Sequence, residues 1–110
     1  MSRSKGDLAE QKSCEYLISQ GFTIIEQNFY AKKLGEIDII ATKNSTYHFI
    51  EVKSAQDYEI AINNITPAKL SKLIRSIEYY LQQKRIEADY CVDAVVVVDD
   101  TIEHLENITF

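Results

Sequence analysis

The fold of this chain is decided by residues 36–53, which read EIDIIATKNSTYHFIEVK. This stretch contains two strand-like segments separated by a short polar turn. Residues 36–41 and 46–53 are rich in β-branched and aromatic side chains, which strands favour, and Lys43-Asn44-Ser45 separates them. The pattern predicts a β-hairpin. A turn centred between Asn44 and Ser45 places Asp38 opposite Glu51 and Glu36 opposite Lys53.

This register places four charged residues on one face of the hairpin, because side chains alternate across a strand. The Cβ atoms of directly opposite residues are about 5 Å apart. At an effective dielectric constant near 20, two carboxylates at that distance repel by roughly 3 kcal/mol. Lys53 offers one positive charge between Asp38 and Glu51. A divalent ion held by the two carboxylates and water would supply more, and Mg²⁺ prefers such hard oxygen ligands.

Paired carboxylates beside a lysine suit phosphodiester hydrolysis. A metal ion polarises a phosphate oxygen and activates water, while a nearby ammonium orients the nucleophile or neutralises developing charge. The alternative is a solvated sheet face or a structural ion pair. Tyr47 and Phe49 share the face of Glu51 and Lys53, so this face begins as core and becomes charged only towards the end of the strand. A core face that opens into an acidic cleft is typical of a site.

The length and composition limit the chain to one domain over residues 1–110. It has 110 residues, of which 45% are hydrophobic and 26% charged, with one proline and three glycines. These values exclude a second catalytic domain and a disordered or collagen-like chain. The longest apolar stretch, Ala94 to Val98, is far shorter than the roughly 20 residues of a membrane span, and the N-terminus, MSRSK, does not resemble a signal peptide. We therefore expect a cytoplasmic protein without a membrane partner.

The remaining segments complete an α/β pattern with the order αβββαββ. Residues 4–20 predict a helix with Ser4 as a candidate cap, residues 22–30 a strand, and residues 54–65 a loop. Thr66-Pro67 begins a second helix, whose apolar residues from Leu70 to Leu81 follow the 3.6-residue period. Residues 90–98 predict a central strand covered on both faces, and residues 102–108 a last strand. We expect a mixed sheet of about five strands flanked by helices.

Charge is distributed unevenly along the chain. The net charge is -5, but residues 1–85 hold all twelve Lys and Arg, whereas residues 86–110 hold seven acidic residues and no basic one. Any nucleic-acid site must therefore be local.

The cysteines and histidines show no ligand spacing. Cys14 and Cys91 lie far apart without a Cys-x-x-Cys motif, which predicts two buried reduced thiols. His48 lies on the face opposite Glu51, so core packing or a surface hydrogen bond is favoured over metal ligation. His104 is expected at an edge, with no partner that the sequence identifies.

Short motifs in a fixed order cover nearly the whole chain. They are Gly6-x-x-Ala9-Glu10 with Tyr16-Leu17, Gly35-Glu36-Ile37-Asp38-Ile39-Ile40, Phe49-Ile50-Glu51-Val52-Lys53, Lys69 with Tyr80-Leu81, and Ile102-x-His104-x-Glu106-Asn107. Their order and spacing resemble those of the YraN-like family of bacterial proteins. An Asp on one strand and Glu-x-Lys on the next, after a helix that carries Glu, also resemble the restriction endonuclease-like (PD-(D/E)xK) nuclease superfamily.

The resemblance implies a restriction endonuclease-like α/β fold. It also implies a nuclease that hydrolyses DNA or RNA, with DNA as the first candidate, in repair or recombination. It implies Asp38 and Glu51 as ligands of Mg²⁺ or Mn²⁺, Lys53 as the catalytic lysine, and Glu10 as an additional acidic group. Glu36 would hold Lys53 through the cross-strand pair. Without the resemblance, Glu10 is a solvated helix glutamate.

The chain departs from the family at two positions where relatives often have arginine. Ala55, directly after Lys53-Ser54, occupies one, and Cys91, two residues before Asp93, occupies the other. Five basic residues offer replacement charge for phosphate contacts: Lys32, Lys33, Lys69, Lys72 and Arg75. A solvated surface accounts for them equally well.

These departures favour a second interpretation, a catalytically inactive nucleic-acid-binding or DNA-processing accessory module. A third, a protein-interaction domain, would leave the facing carboxylates unexplained. The family resemblance to junction-cleaving folds is compatible with a homodimer, which would suit two-fold symmetric substrates.

Overall fold

The computed structural model describes residues 5–109, which alternate helices and strands. The elements in chain order are α1 (Lys5–Ser19), β1 (Thr23–Tyr30), a 3₁₀ turn (Lys32–Leu34), β2 (Glu36–Lys43), β3 (Thr46–Ser54), α2 (Tyr58–Asn63), α3 (Pro67–Lys84), β4 (Tyr90–Val98) and β5 (Thr101–Leu105). Ser4, the predicted cap of the first helix, lies outside the described residues. No helix in this range is long and apolar enough to cross a membrane.

The five strands form one mixed sheet in the order β1-β2-β3-β4-β5. β3 and β4 are parallel, and the other neighbouring pairs are antiparallel. The parallel pair requires a crossover, which α2 and α3 provide. The predicted α/β class and the mixed five-stranded sheet are therefore confirmed, with β3 in the middle of the sheet.

The hairpin of β2 and β3 has the predicted register. Its paired residues run from Lys43 and Thr46 at the turn to Ile39 and Ile50. Asn44 and Ser45 both have positive φ angles, of 52° and 65°, as a two-residue hairpin turn requires. The pairing ends just before Asp38 and Glu51, so the charged residues lie where β2 and β3 separate.

Each face of the sheet is covered by one long helix. α1 packs Ala9, Cys14 and Leu17 against a cluster that includes Ile39, Ile50, Val95 and Val97. On the other face, α3 packs Leu73, Ile77 and Tyr80 against a second cluster. The sheet residues of that cluster include Ile40, Phe49 and Val92. β4 contributes buried residues to both clusters, which confirms that it is a central strand covered on both faces.

The loop predicted for residues 54–65 contains a short helix, so that prediction is wrong in part. The side chain of Asp57 accepts a hydrogen bond from the Ile60 N–H at 2.9 Å and caps α2. A cap can start one turn of helix without a periodic apolar pattern. The next helix begins as predicted, because Thr66 caps α3 by accepting the Lys69 N–H and Pro67 follows it.

The last strand is shorter than predicted, because β5 ends at Leu105 rather than at Ile108. The backbone then leaves the regular ladder. The Asn107 N–H donates to the Asp93 carboxylate at 2.9 Å, and the Ile108 N–H donates to the Val92 carbonyl at 2.8 Å. A buried side chain thus replaces a backbone acceptor and ends the strand early.

The two thiols differ in burial. Both cysteines are free. Cys14 is buried beneath α1 as predicted, whereas Cys91 on β4 is only half-buried, which corrects the prediction for that residue. β4 begins at Tyr90, so Cys91 lies near the end of the sheet, where fewer side chains cover it.

Candidate functional site

Acidic residues from α1, β2 and β3 meet where β2 and β3 separate. The predicted ligands Asp38 and Glu51 interact electrostatically, and both also interact with Glu10. Glu36 contributes to the same field. The structure thus brings together all four residues proposed from the sequence for catalysis, Glu10, Asp38, Glu51 and Lys53.

Asp38 occupies the most constrained position of this group. Its Oδ2 accepts the backbone N–H of Val52 at 2.8 Å, across the gap between the strands. Burial, followed by the negative charge of Glu51, raises the pKa of Asp38 to about 7, and the Val52 hydrogen bond offsets only part of this effect. A carboxyl group with such a pKa lies in a site that favours an added positive charge.

Lys53 is paired with its neighbour on the same strand. Its Nζ lies 3.1 Å from Oε1 of Glu51, and the side chains are 24% and 26% exposed, respectively. The sequence instead predicted a cross-strand pair with Glu36. The paired register of β2 and β3 ends at Ile39 and Ile50, before Glu36 and Lys53 would lie opposite each other.

Asn28 on β1 bridges two of the acidic residues and was missed by the sequence analysis. With its amide nitrogen turned towards the carboxylates, Nδ2 lies 2.8 Å from Oε1 of Glu10 and 3.0 Å from Oε1 of Glu36. Its φ of 53° is left-handed, a conformation that asparagine tolerates better than most residues. An asparagine within a strand-like run is the only sequence signal that could have indicated this position.

Glu10 is more than a solvated helix glutamate. Burial, together with the charges of Glu36, Asp7 and Glu51, raises the pKa of Glu10. Asn28 accordingly gives this carboxylate a neutral hydrogen-bond donor rather than a compensating charge. The first helix therefore adds a third carboxylate to the pair supplied by the hairpin.

A cleft of about 160 Å³ lies between this acidic group and α3. Glu36 and Glu51 line one side, and Lys69 and Lys72 line the other. Gly35 forms part of the lining at a φ of 138°, where an added Cβ would lie 3.2 Å from Cε of Lys72. Glycine at this position therefore allows the lysine chain to lie close to the backbone.

The other predicted nucleic-acid contacts are not among the residues that line this cleft. Lys32 and Lys33 are exposed in the 3₁₀ turn just before Gly35. Arg75 is exposed on α3, one turn after Lys72. Their part in binding stays a prediction.

A second polar group lies on the α1 side of the sheet, and the sequence analysis missed it. His48 Nδ1 and His104 Nε2 lie 2.6 Å and 2.7 Å from the same oxygen, Oδ2 of Asp93. The prediction that His48 would be packed or hydrogen-bonded is confirmed. The sequence identified no partner for His104, and the structure supplies Asp93. The signal was present, since Asp93 is a charged residue within an apolar central strand and requires hydrogen-bond donors.

Comparison with known sequences identifies the relatives of the chain. A sequence model described as "Uncharacterised protein family UPF0102" matches residues 9–97. The chain belongs to the UPF0102, or YraN-like, family. It is 61% identical to a UPF0102 protein of Aliarcobacter butzleri over 99% of both chains.

Two further UPF0102 proteins are similar over almost their full length. One, from Sulfurimonas denitrificans, is 50% identical over 99% of both chains. The other, from Helicobacter pylori, is 50% identical over 98% of this chain and 93% of its own. The match confirms the family expected from the motifs, and the family description specifies no activity.

Proposed function

We propose that this UPF0102 protein is a metal-dependent nuclease that hydrolyses phosphodiester bonds in nucleic acid, with DNA as the first candidate substrate. The observation that carries the proposal is the crowding of the Asp38 and Glu51 carboxylates beside Lys53, at the edge of a lysine-lined cleft. Glu10 adds to the negative field. Such crowding is unfavourable unless a cation is bound, so it supports a functional site rather than a stabilising one.

The donor set fits Mg²⁺ or Mn²⁺. Asp38 and Glu51 offer carboxylate oxygens only, and these are the ligands that hard divalent ions prefer. Burial and the charge of Glu51 raise the pKa of Asp38 to about 7, so a nearby positive charge would favour the ionised carboxylate. Bound there, the ion would supply Lewis acidity towards a phosphate oxygen and a lower pKa for attacking water.

The residues of the chain would divide the remaining work. Lys53, whose Nζ lies 3.1 Å from Oε1 of Glu51, would orient the attacking water and offset charge that develops on the phosphate. Lys69 and Lys72 face Glu36 and Glu51 across the cleft and would hold the phosphates that flank the bond to be broken. Water would add to phosphorus, and the departing sugar oxygen would leave with a proton.

The experiment compares Lys53→Met with the wild type on labelled single-stranded DNA, duplex DNA, a branched junction and RNA, each with Mg²⁺, Mn²⁺ or EDTA. We expect cleavage of at least one substrate with metal only, and its loss in Lys53→Met. Lys84→Met is the matched control, because Lys84 lies in the last turn of α3, outside the lining of the cleft. Circular dichroism verifies that each variant is folded.

Metal binding is measured separately, by calorimetric titration of Mn²⁺ into the wild type and Asp38→Asn. We expect binding by the wild type and its loss in the variant. Wild-type cleavage that persists in Lys53→Met would refute the catalytic role. Nucleic-acid binding without metal binding or cleavage would instead favour the accessory module that the missing arginines suggest.

A further inference from the structure

The buried histidine pair on the α1 side has an unusual arrangement around one carboxylate. Asp93 is fully buried, and its Oδ2 receives both imidazoles while its Oδ1 receives the Asn107 N–H at 2.9 Å. A carboxylate that accepts three hydrogen bonds in the interior stays ionised. Burial by itself would raise the pKa of Asp93, but the hydrogen bonds from His104, Asn107 and His48 hold it below its ordinary value.

Ionised Asp93 sets the protonation of both rings, because it can only accept hydrogen bonds. The protons therefore lie on Nδ1 of His48 and Nε2 of His104. In the neutral rings, the lone pairs remain on Nε2 of His48 and Nδ1 of His104. Histidines that bind a metal through one ring nitrogen usually donate the N–H of the other nitrogen to a carboxylate, a backbone carbonyl or water.

A third ligand lies next to the free nitrogen of His104. Oε1 of Glu106 is 3.9 Å from Nδ1 of His104, and ligand atoms of His48, His104 and Glu106 all lie within 4.8 Å of one another. The two imidazoles are almost buried, whereas the Glu106 side chain is 59% exposed. An ion could therefore enter from the surface on the side of Glu106.

The apolar wall of this group is Phe22. Its ring packs edge-on against both imidazoles, with centroid distances of 4.9 Å to His48 and 5.4 Å to His104. It therefore restricts rotation of the two rings and keeps water from one side. Rigid rings supported by a shared carboxylate bind a metal with little loss of side-chain freedom.

We propose that His48, His104 and Glu106 form a second metal site for a transition-metal ion such as Zn²⁺, with Asp93 as the carboxylate that orients both histidines. Two imidazole nitrogens and one carboxylate select this class over Mg²⁺. Solvent completes the coordination from the exposed side. The site lies on the opposite face of the sheet from Glu51, and its ligand chemistry differs from the all-oxygen pair of the hairpin.

The test uses Co²⁺ as a spectroscopic substitute for Zn²⁺ in the full chain after dialysis against EDTA. We expect a visible absorption band of a nitrogen-ligated Co²⁺ ion of low coordination number, which saturates at one equivalent per chain and disappears when Zn²⁺ displaces the Co²⁺. Glu106→Gln should weaken binding at least about tenfold. Because Glu106 is exposed, this variant is expected to fold.

Two controls locate the ion. Glu103→Gln changes a neighbouring exposed carboxylate on β5 and should leave Co²⁺ binding unchanged. Asp38→Asn alters the hairpin site and should also leave the absorption band unchanged. If the wild type binds no Co²⁺ or Zn²⁺, or if Glu106→Gln binds as tightly as Glu103→Gln, the proposal is wrong and the histidines form a hydrogen-bonded network only. Neither result would bear on the nuclease proposal, which depends on Asp38 and Lys53.

Discussion

Replacing Asp38 by asparagine is expected to stabilise the metal-free protein while removing its divalent metal site. Asparagine has the same shape, and its side-chain oxygen can still accept the Val52 N–H that Asp38 accepts at 2.8 Å. What the substitution removes is a negative charge in a partly buried position beside Glu51, with Glu10 and Glu36 adding to the repulsion.

The expected magnitude follows from the pKa of Asp38. The pKa rises from 3.8 to about 7, and each unit corresponds to about 1.4 kcal/mol. At a pH where Asp38 is ionised in both the folded and the unfolded chain, the full pKa shift corresponds to a destabilisation of at most about 4 kcal/mol. Because the side chain is only partly buried and solvent screens it, we expect Asp38→Asn to gain about 2 kcal/mol at pH 8.

The pH dependence separates this effect from an ordinary packing effect. Well below pH 4 the carboxyl is protonated in both the folded and the unfolded chain, so its charge has no effect on stability. Between pH 4 and about 7 the unfolded chain ionises first, and the wild type loses stability as the pH rises. The advantage of the variant should therefore grow across this window and remain constant above it.

The assay is urea unfolding in EDTA at several pH values, repeated with Mg²⁺. Mg²⁺ should stabilise the wild type by RT ln(1 + [Mg²⁺]/Kd) and leave the stability of Asp38→Asn unchanged. Asp99→Asn, an exposed carboxylate after β4 with φ of 52°, is the matched control and should change stability by less than about 0.5 kcal/mol. If Asp38→Asn destabilises the protein at pH 8, or if its gain does not vary with pH, the electrostatic account of the site is incorrect.

Three further predictions concern the core, the buried carboxylate and the cleft. Leu17→Ala removes a fully buried side chain beneath α1 and should lower the free energy of unfolding by about 2–5 kcal/mol in urea titrations. Asp93→Asn should lower it by about 3 kcal/mol at pH 7, because the hydrogen bonds of both histidines weaken. Since the pKa of Asp93 is lowered, the carboxylate should make its full contribution to the free energy of unfolding above about pH 4. This contribution should vanish as the pH falls through the folded-state pKa, and acid titration followed by circular dichroism measures the loss. Lys69→Ala should weaken DNA binding and reduce the magnitude of the slope of log K against log salt concentration by about one. Lys84→Ala should change neither quantity. Fluorescence anisotropy at several salt concentrations measures both the affinity and the slope.

Most of the fold could be predicted because local signals and tertiary packing agree. The alternation in Glu36 to Lys53 and the two-residue turn at Asn44 and Ser45 specify the hairpin register, and the apolar stripe from Leu70 to Leu81 specifies the packing face of α3. The short helix α2 was missed because it depends on one capping residue, Asp57, rather than on a periodic pattern. Element ends that depend on a single hydrogen bond are poorly visible in sequence.

The candidate site divides in the same way. Alternation along the two strands was sufficient to predict that Asp38 and Glu51 lie close together, because the paired register continues up to Ile39 and Ile50, the residues directly before them. The contacts of Asn28 were not predictable, because they depend on a left-handed residue in a different strand. The pairing of Lys53 with Glu51 rather than with Glu36 depends on where β2 and β3 stop pairing, and a local pattern does not encode this point.

The hydrogen bond from the Val52 backbone N–H to Asp38 also provides a built-in spectroscopic reporter of this carboxylate. An amide proton that points at a titrating oxygen changes its resonance frequency when that oxygen gains a proton or binds an ion. One cross-peak in a nitrogen-correlated spectrum would thus report, without any attached label, whether the carboxylate is free, neutral or engaged.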